Sequence, residues 1–216
     1  MALQYHIIPV TPFAQNATLL WCTVTGQAAI VDAGGDIGQL AAAVRERGLT
    51  LEKLLLTHGH IDHAGGAAEL AGEFGVKIEG PEHSESYWLD ILPHQGRMFG
   101  FPPSDKLTPD RWLAEGDTVT VGEQVLEVRH CPGHTPGHVV FYSREAGMVI
   151  VGDVLFQGSI GRTDFPMGNH QQLLDAIRSK LFVLPDETVV LPGHGPATTI
   201  GEEKRHNPFV SDARYR

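Results

Sequence analysis

Four side chains able to bind a metal ion fall within six residues of the segment Thr57-His58-Gly59-His60-Ile61-Asp62-His63. In extended chain, residues i and i+2 point the same way, so His58 and His60 can reach one ion. If the chain then turns into a helix near Ala64, Asp62 and His63 are re-aimed toward a neighbouring point. One segment can therefore serve two adjacent ions. Gly59, Gly65 and Gly66 permit the tight path and close backbone approach this needs.

Three other segments carry the same kind of residue: Cys131-Pro132-Gly133-His134, Val151-Gly152-Asp153 and Leu191-Pro192-Gly193-His194-Gly195. Each puts a metal-competent side chain just after an expected strand, in a glycine-containing turn. Singly these are weak signals, since a loop histidine is commonly a surface residue and a strand-end aspartate a turn former. Together with the first segment they supply seven donors, of which six divide evenly between two ions while a carboxylate bridges. A water shared by two cations loses a proton near neutral pH, against a bulk pKa of ~15.7, and becomes a positioned nucleophile for an ester or thioester carbonyl. No serine or cysteine nucleophile is required. Asp62 and Asp153 are the candidate catalytic carboxylates.

Other residues near these segments have two readings. His138 is either a hydrogen-bond support for the ligands, as metal sites require, or an ordinary strand-start histidine. Asp32 is either a support for a ligand histidine or a strand-end turn residue. Cys131, three residues before His134, reads as a buried, inert small residue, and Cys22 as core. Two cysteines allow at most one bridge. Asp36, Asp164, His6, His83, His94, His170 and His206 read as caps, turns and solvated groups.

The elements that must position these groups follow from periodicity and punctuation. Residues 4–10, 17–24 and 27–32 read as strands, separated by Pro12, Asn16 and Gly26. Asp36 reads as the N-cap of a helix with Ile37, Leu40, Ala41 and Val44 on one face, ending at Gly48. A buried strand over 53–57, a helix over about 64–74, a strand over 76–79 and a short helix near 84–89 follow. Residues 93–109 read as a long irregular excursion, a lid, binding loop or contact surface. Strands are then expected over 118–121, 124–130, 138–143, 148–151 and 188–191, with helices over 170–182 and 201–207. Strands in two blocks, each with helices, suggest two packed sheets with helices outside.

The chain has 216 residues, 42% hydrophobic and 19% charged, enough for one large domain spanning 1–216. Asp and Glu number 26 against 16 Lys and Arg, a formal charge of −10. That balance argues against nucleic acid or an anionic membrane as partner. The N-terminal residues carry no basic stretch ahead of their apolar positions, and no apolar run approaches the ~18 residues of a membrane span. The cytoplasm is the expected location; oligomeric state has no signature in the sequence.

In motif order and spacing, over essentially the whole chain, the sequence resembles the metallo-β-lactamase superfamily and, within it, the glyoxalase-II-like hydrolases. A short bacterial branch of type II glyoxalases is similar in its GRTDFP and PGHGP segments, here Gly161–Pro166 and Pro192–Pro196. The resemblance implies an α/β (α+β) fold, the αββα four-layer sandwich. It implies a first metal on His58, His60 and His134, a second on Asp62, His63 and His194, and Asp153 as bridge. Two divalent ions are implied, zinc first, with iron or manganese as alternatives. The activity implied is hydrolysis of a small-molecule thioester such as S-lactoylglutathione. Arg162 stands where glutathione-thioesterase relatives carry a substrate-contacting lysine, which implies an anion-binding role. The lysine–tyrosine pair of the long glyoxalases reads Arg162 and Asp164 here, a departure, and only 22 residues follow His194 where those enzymes add a helical region. Two further readings are a persulfide dioxygenase with one iron on His58, His134 and Asp153, and a non-enzymatic metal-binding domain. The PGHGP context of His194 and the complete ligand set favour the hydrolase.

Overall fold

Alternation along the strands accounts for the whole architecture. In the computed structural model, which describes residues 2–211, the first sheet is built from β1 (Leu3–Val10), β2 (Gln15–Cys22) and β3 (Gln27–Val31), all antiparallel. Helix α1 (Ile37–Glu46) returns the chain to β4 (Thr50–Leu55), and α2 (Ile61–Ala64) and α3 (Ala67–Phe74) return it to β5 (Lys77–Glu79). These two strands run parallel to their neighbours, giving the order β1-β2-β3-β4-β5. A 3-10 turn over His83–Glu85, α4 (Ser86–Asp90) and α5 (Leu92–Phe99) lie between the sheets in sequence.

The second sheet starts with an antiparallel run of β6 (Thr118–Val121), β7 (Gln124–His130), β8 (Val139–Ser143) and β9 (Met148–Gly152). A small hairpin, β10 (Leu155–Phe156) and β11 (Ser159–Ile160), leads to α6 (His170–Ala176) and a π-helical turn over Ile177–Leu181. Then β12 (Val189–Pro192) joins β9 in parallel, β13 (Thr198–Thr199) pairs with β12, and α7 (Ile200–His206) follows.

Successive side chains of a strand face opposite ways, and here both ways are apolar. Leu19, Ile30, Leu54 and Leu56 join Leu40 and Val44 of α1 and Leu70 of α3 in one core. Their neighbours Leu20, Ala29, Val31 and Leu55 meet Val128, Phe141, Ile150 and Leu191 in a second core between the sheets. Val140, Val149, Val151 and Val190 face Leu173, Leu174 and Ile177 in a third. Three cores separate four layers, helix, sheet, sheet, helix, so the expected αββα sandwich is observed. Among the described residues no helix is long and apolar enough to cross a membrane.

Four local expectations are corrected. The helix expected over about 64–74 is two helices, because the Gly66 amide donates to Ala33 O and leaves the helical ladder. The helix expected over 170–182 changes to a π-turn after Ala176. The stretch 93–109 is not wholly irregular: Leu92, Gln95 and Gly96 form the buried face of α5, which Pro93 opens and Gly100 (φ 73°) ends. Asp36 stands at the N-cap position of α1, but its carboxylate accepts the Thr11 amide instead of a helix amide.

Phe141 is fully buried between the sheets. Phe141→Ala should cost about 3–5 kcal/mol of unfolding free energy, read as a lower urea midpoint with an unchanged slope.

Candidate metal centre

All seven sequence-predicted donors gather at one edge of the sandwich, where strands of both sheets end. His58 Nε2 and His134 Nε2 each lie 3.1 Å from His60 Nδ1. Asp62, His63 and His194 form a second group, with His194 Nε2 3.2 Å from Asp62 Oδ2 and His63 Nε2 3.7 Å from it. Asp153 faces both groups: Oδ1 is 3.4 Å from His63 Nε2, and Oδ2 is 3.6 Å from His134 Nε2 and 3.8 Å from His194 Nε2.

The inward nitrogens are set by what the outward ones bind. Asp32 Oδ2 accepts from Thr57 Oγ1 at 2.7 Å, so that hydroxyl is left to accept from His58 Nδ1 at 3.0 Å. The same Asp32 oxygen accepts from His63 Nδ1 at 2.9 Å. Arg162 O accepts from His134 Nδ1 at 2.7 Å, and Phe13 O from His194 Nδ1 at 3.3 Å. In all four imidazoles Nδ1 is thus held outward and Nε2 is turned inward, the orientation that metal ligation requires. Asp32 also lies within reach of His58 and His63 as a possible donor, but Oδ1 holds the Thr57 amide and Oδ2 two further donors. It supports the ligands. His138 acts similarly: its ring stacks on His58 with centroids 4.6 Å apart, and its Nε2 accepts the Asp153 amide at 3.1 Å.

Electrostatics favours cations at this edge. Burial, followed by the neighbouring rings His63 and His134 respectively, holds His58 and His60 well below the ordinary imidazole value, so both are neutral. Burial alone would raise the Asp62 and Asp153 carboxyls, but the surrounding imidazoles, His63 foremost and His194 with it, together outweigh burial and both stay ionised, Asp153 far below the usual range. Burial would likewise lower His63, yet Asp153 and Asp62 raise it well above its ordinary value. His63 Nε2 and Asp153 Oδ1 are buried without hydrogen-bond partners. Converging ring nitrogens and carboxylates, unpartnered buried atoms and surplus carboxylate charge fit the binding of divalent metal.

Close packing keeps the groups in place. A Cβ at Gly193 would lie 2.4 Å from Asp153 Oδ1 and 2.6 Å from His63 Cε1. Gly59 is likewise needed for space, since a Cβ there would lie 2.8 Å from Trp88 Cβ.

Sequence reasoning missed Glu85 and Gln95. Glu85 is fully buried, and its two oxygens accept the amides of Gly59 at 3.0 Å and Gly137 at 2.7 Å, tying the His58–His60 turn to the second sheet. Gln95 accepts the Ile61 amide and donates to Gly59 O and Trp88 O. Neither sits in a motif, and their partners lie 26–52 residues away for Glu85 and 7–36 for Gln95, so no local signal announces them. Cys131 is buried, burial pushing its thiol up to about 12, and Cys22 is buried too; both are free. Arg162 borders the site with its guanidinium forked onto Asp164, both contacts at 2.7 Å. His94, expected to be merely solvated, lines the same cavity.

That cavity has a volume of about 730 Å³ and opens over His60, Asp62, His134, Asp153 and His194. A metal-assisted reaction on a small molecule has room there.

The model of the metallo-beta-lactamase superfamily matches residues 10–194, and the chain belongs to that superfamily. Hydroxyacylglutathione hydrolase GloC of Haemophilus influenzae is 46% identical over 210 residues, 97% of this chain and 99% of the relative. Two solved structures are also similar. BLEG-1 B3 metallo-beta-lactamase has a TM-score of 0.88 at 38% identity, over 96% of this chain and 99% of the other. TTHA1623 in a di-iron-bound form has a TM-score of 0.85 at 34% identity, over 95% and 100%.

Glu85 gives a test of the support around the site. Glu85→Gln turns an amide group toward a buried backbone N–H and should cost about 1–3 kcal/mol. Burial pushes the Glu85 carboxyl up to about 7 despite the Gly59 and Gly137 amides. An acid with a raised folded-state pKa favours the folded state below its unfolded value and loses that contribution as pH rises through the folded value. The stability lead of the wild type over Glu85→Gln in urea should therefore shrink between about pH 4.5 and about pH 7; a widening lead contradicts the assignment.

Proposed function

We propose that the protein is a metal-dependent thioester hydrolase of the glyoxalase II type, with S-lactoylglutathione or a related hydroxyacyl thioester as the substrate class. The observation that carries this reading is Asp153, a buried carboxylate that lies between the two donor groups, Oδ2 near His134 and His194 and Oδ1 near His63. His58, His60 and His134 would hold one ion, Asp62, His63 and His194 the other, with Asp153 between them. Zinc is the first candidate; the similar structure of TTHA1623 in a di-iron-bound form supports iron as an alternative. Two such ions supply Lewis acidity, bringing water toward ionisation at neutral pH and polarising a carbonyl.

The chain's own residues do the rest. Asp62, ionised and facing the cavity, accepts the proton of the attacking water and returns it to the departing sulfur. The new bond is carbon–oxygen and the broken one carbon–sulfur, so R–CO–SR′ and water give R–COOH and R′SH. The fixed Nδ1 anchors of His58, His63, His134 and His194 hold the donors without reorganisation during the reaction. A one-iron dioxygenase on His58, His134 and Asp153 would leave Asp62, His63 and His194 anchored for no purpose, which weighs against it. A binding domain without catalysis would have no need of an open cavity over the donors.

Metal analysis with paired assays tests the reading. The expected result is thioester hydrolysis without oxygen consumption, and persulfide-dependent oxygen uptake would sink it. Asp153→Ala should lose bound metal and on the order of a hundredfold or more in kcat, since even groups supporting a ligand are worth about 10–100-fold.

A further inference from the structure

Between Asp153 and Arg162 the chain makes one small hairpin, β10 with β11, and that hairpin bears on every proposed donor of the second sheet. Asp153 lies at its entry, where Val154 O accepts the Gly161 amide at 3.3 Å. Arg162 lies at its exit and offers its carbonyl oxygen to His134 Nδ1 at 2.7 Å. In the first strand, Phe156 meets the His194 ring edge to face, with centroids 6.4 Å apart. The approach is close: a Cβ at Gly161 would fall 1.9 Å from Asp153 O and 3.3 Å from His134 Cβ. Phe156, Ser159 and Ile160 also line the cavity.

Two strands of two residues each do not hold such a position alone, since an isolated two-stranded hairpin is marginal in water. The tip is pinned by α7, which follows the last donor segment. Glu203, 1% exposed, accepts the Gly158 amide at 2.9 Å and the Asn207 side-chain amide at 2.8 Å, both with Oε2. Its Oε1 accepts from Thr198 Oγ1 at 2.7 Å. Asn207, fully buried, donates from the same Nδ2 to Ser159 O at 3.0 Å. Asn207 follows Glu203 by one helical turn, at the end of α7, so the two side chains meet. Without the carboxylate, the Gly158 N–H and the Asn207 amide would lose a partner where burial makes that costly.

Building on the metal-dependent hydrolase reading, we infer that Glu203 and Asn207 are positioning residues for the second-sheet half of the metal centre. They act through the β10–β11 hairpin on His134, Asp153 and His194, and on the cavity wall that the hairpin carries. The hairpin transmits the constraint: α7 fixes its tip, and its two ends bear on the donors. Donors held this way keep the close tolerance that ligation needs.

Glu203→Ala removes the pin, whereas Glu203→Gln keeps an acceptor for Gly158 and Asn207 and turns an N–H toward Thr198 Oγ1, which can accept it. Leu40→Ala, in the outer core of the first sheet, controls for lost stability away from the hairpin. Zinc affinity, read by chelator competition, should fall about tenfold in Glu203→Ala, the lower end for loss of a ligand's support, and stay within about threefold of wild type in Glu203→Gln. Hydrogen exchange at Gly158 and Ser159 of the metal-free protein should quicken in Glu203→Ala and not in Leu40→Ala. With zinc saturating, the freed wall should raise KM for S-lactoylglutathione more than it lowers kcat. If Glu203→Ala does not fold, Asn207→Ala, which leaves the Glu203–Gly158 bond in place, should lose at least about threefold in zinc affinity, the scale of one hydrogen bond. A loss of zinc affinity no larger than that of Leu40→Ala, or a Glu203→Gln protein as weak as Glu203→Ala, overturns the inference. A wild type that holds zinc but cleaves no thioester refutes the hydrolase reading, while the zinc and exchange measurements still decide this one.

Discussion

The two sheets are tied together at one edge by polar contacts, and the position of every metal-competent side chain depends on those ties. Val139 at the start of β8 donates its amide to Thr57 O beyond the end of β4, and Asn16 of β2 donates to Gly193 O past β12. The Asn16 side chain adds bonds to Pro192 O and Gly195 O. Glu85 holds the amides of Gly59 and Gly137 with one carboxylate. The Thr57 and Gly59 ties join the His58–His63 segment to the start of β8, and the Asn16 ties hold the His194 turn against the first sheet. The apolar core between the sheets supplies adhesion but no register, being non-directional. The hydrogen bonds supply the register, and a sub-ångström site needs it.

Asp32 plays the corresponding part within the first sheet. It sits just after β3, with φ of 59°, a backbone conformation uncommon for a residue with a side chain. From there it takes the Thr57 amide, the Thr57 hydroxyl and the His63 ring. One carboxylate thereby orients His58, through the hydroxyl, and His63 directly. These two histidines are donors that the proposed ion pair would divide, and their relative orientation is fixed by a residue that touches neither inward nitrogen. Strain at Asp32 is sustained because the surrounding bonds over-determine it.

What the sequence reveals and what it hides divide by range. The His58–His63 segment is legible because its chemistry is local: spacing alone puts four donors in one turn. Of the fold, strands in two blocks with helices point to two packed sheets with helices outside, and the four-layer order comes with the resemblance; strands such as Val139–Ser143 and Met148–Gly152 are buried along their whole length, as twice-covered strands are. The break at Gly65–Gly66 is not legible, since it depends on Ala33 O waiting across the sheet edge. Nor is the helix over Leu92–Phe99: Pro93 and Gly96 read as breakers, whereas Pro93 stands in the first turn, where proline is tolerated, and Gly96 packs inward. Glu85 and Gln95 are invisible because a polar residue's value there lies in partners tens of residues away. His138 and Asp32 sat between two readings until their partners were known.

The same constraint explains why so much polar structure is tolerated at this edge. Asp32, Asp62, Asp153 and Glu85 are all buried at this edge, and unpaired buried charge is costly. Part of that cost is met by protons, as the raised His63 shows, and divalent cations would meet it more fully. Ion binding and folding are then linked: whatever free energy the cations contribute is also free energy of the folded edge. Yet the Nδ1 anchors and inter-sheet ties hold the lone pairs in place through the protein's own bonds alone. An edge so braced gives up little freedom when ions bind, and keeps its donors from collapsing onto one another when they leave. The apolar cavity wall works in the same direction, since Trp88 and Phe165 pack against His60 and limit how far the donors can move. Bracing the donors and shaping the substrate space are therefore one set of contacts seen from two sides.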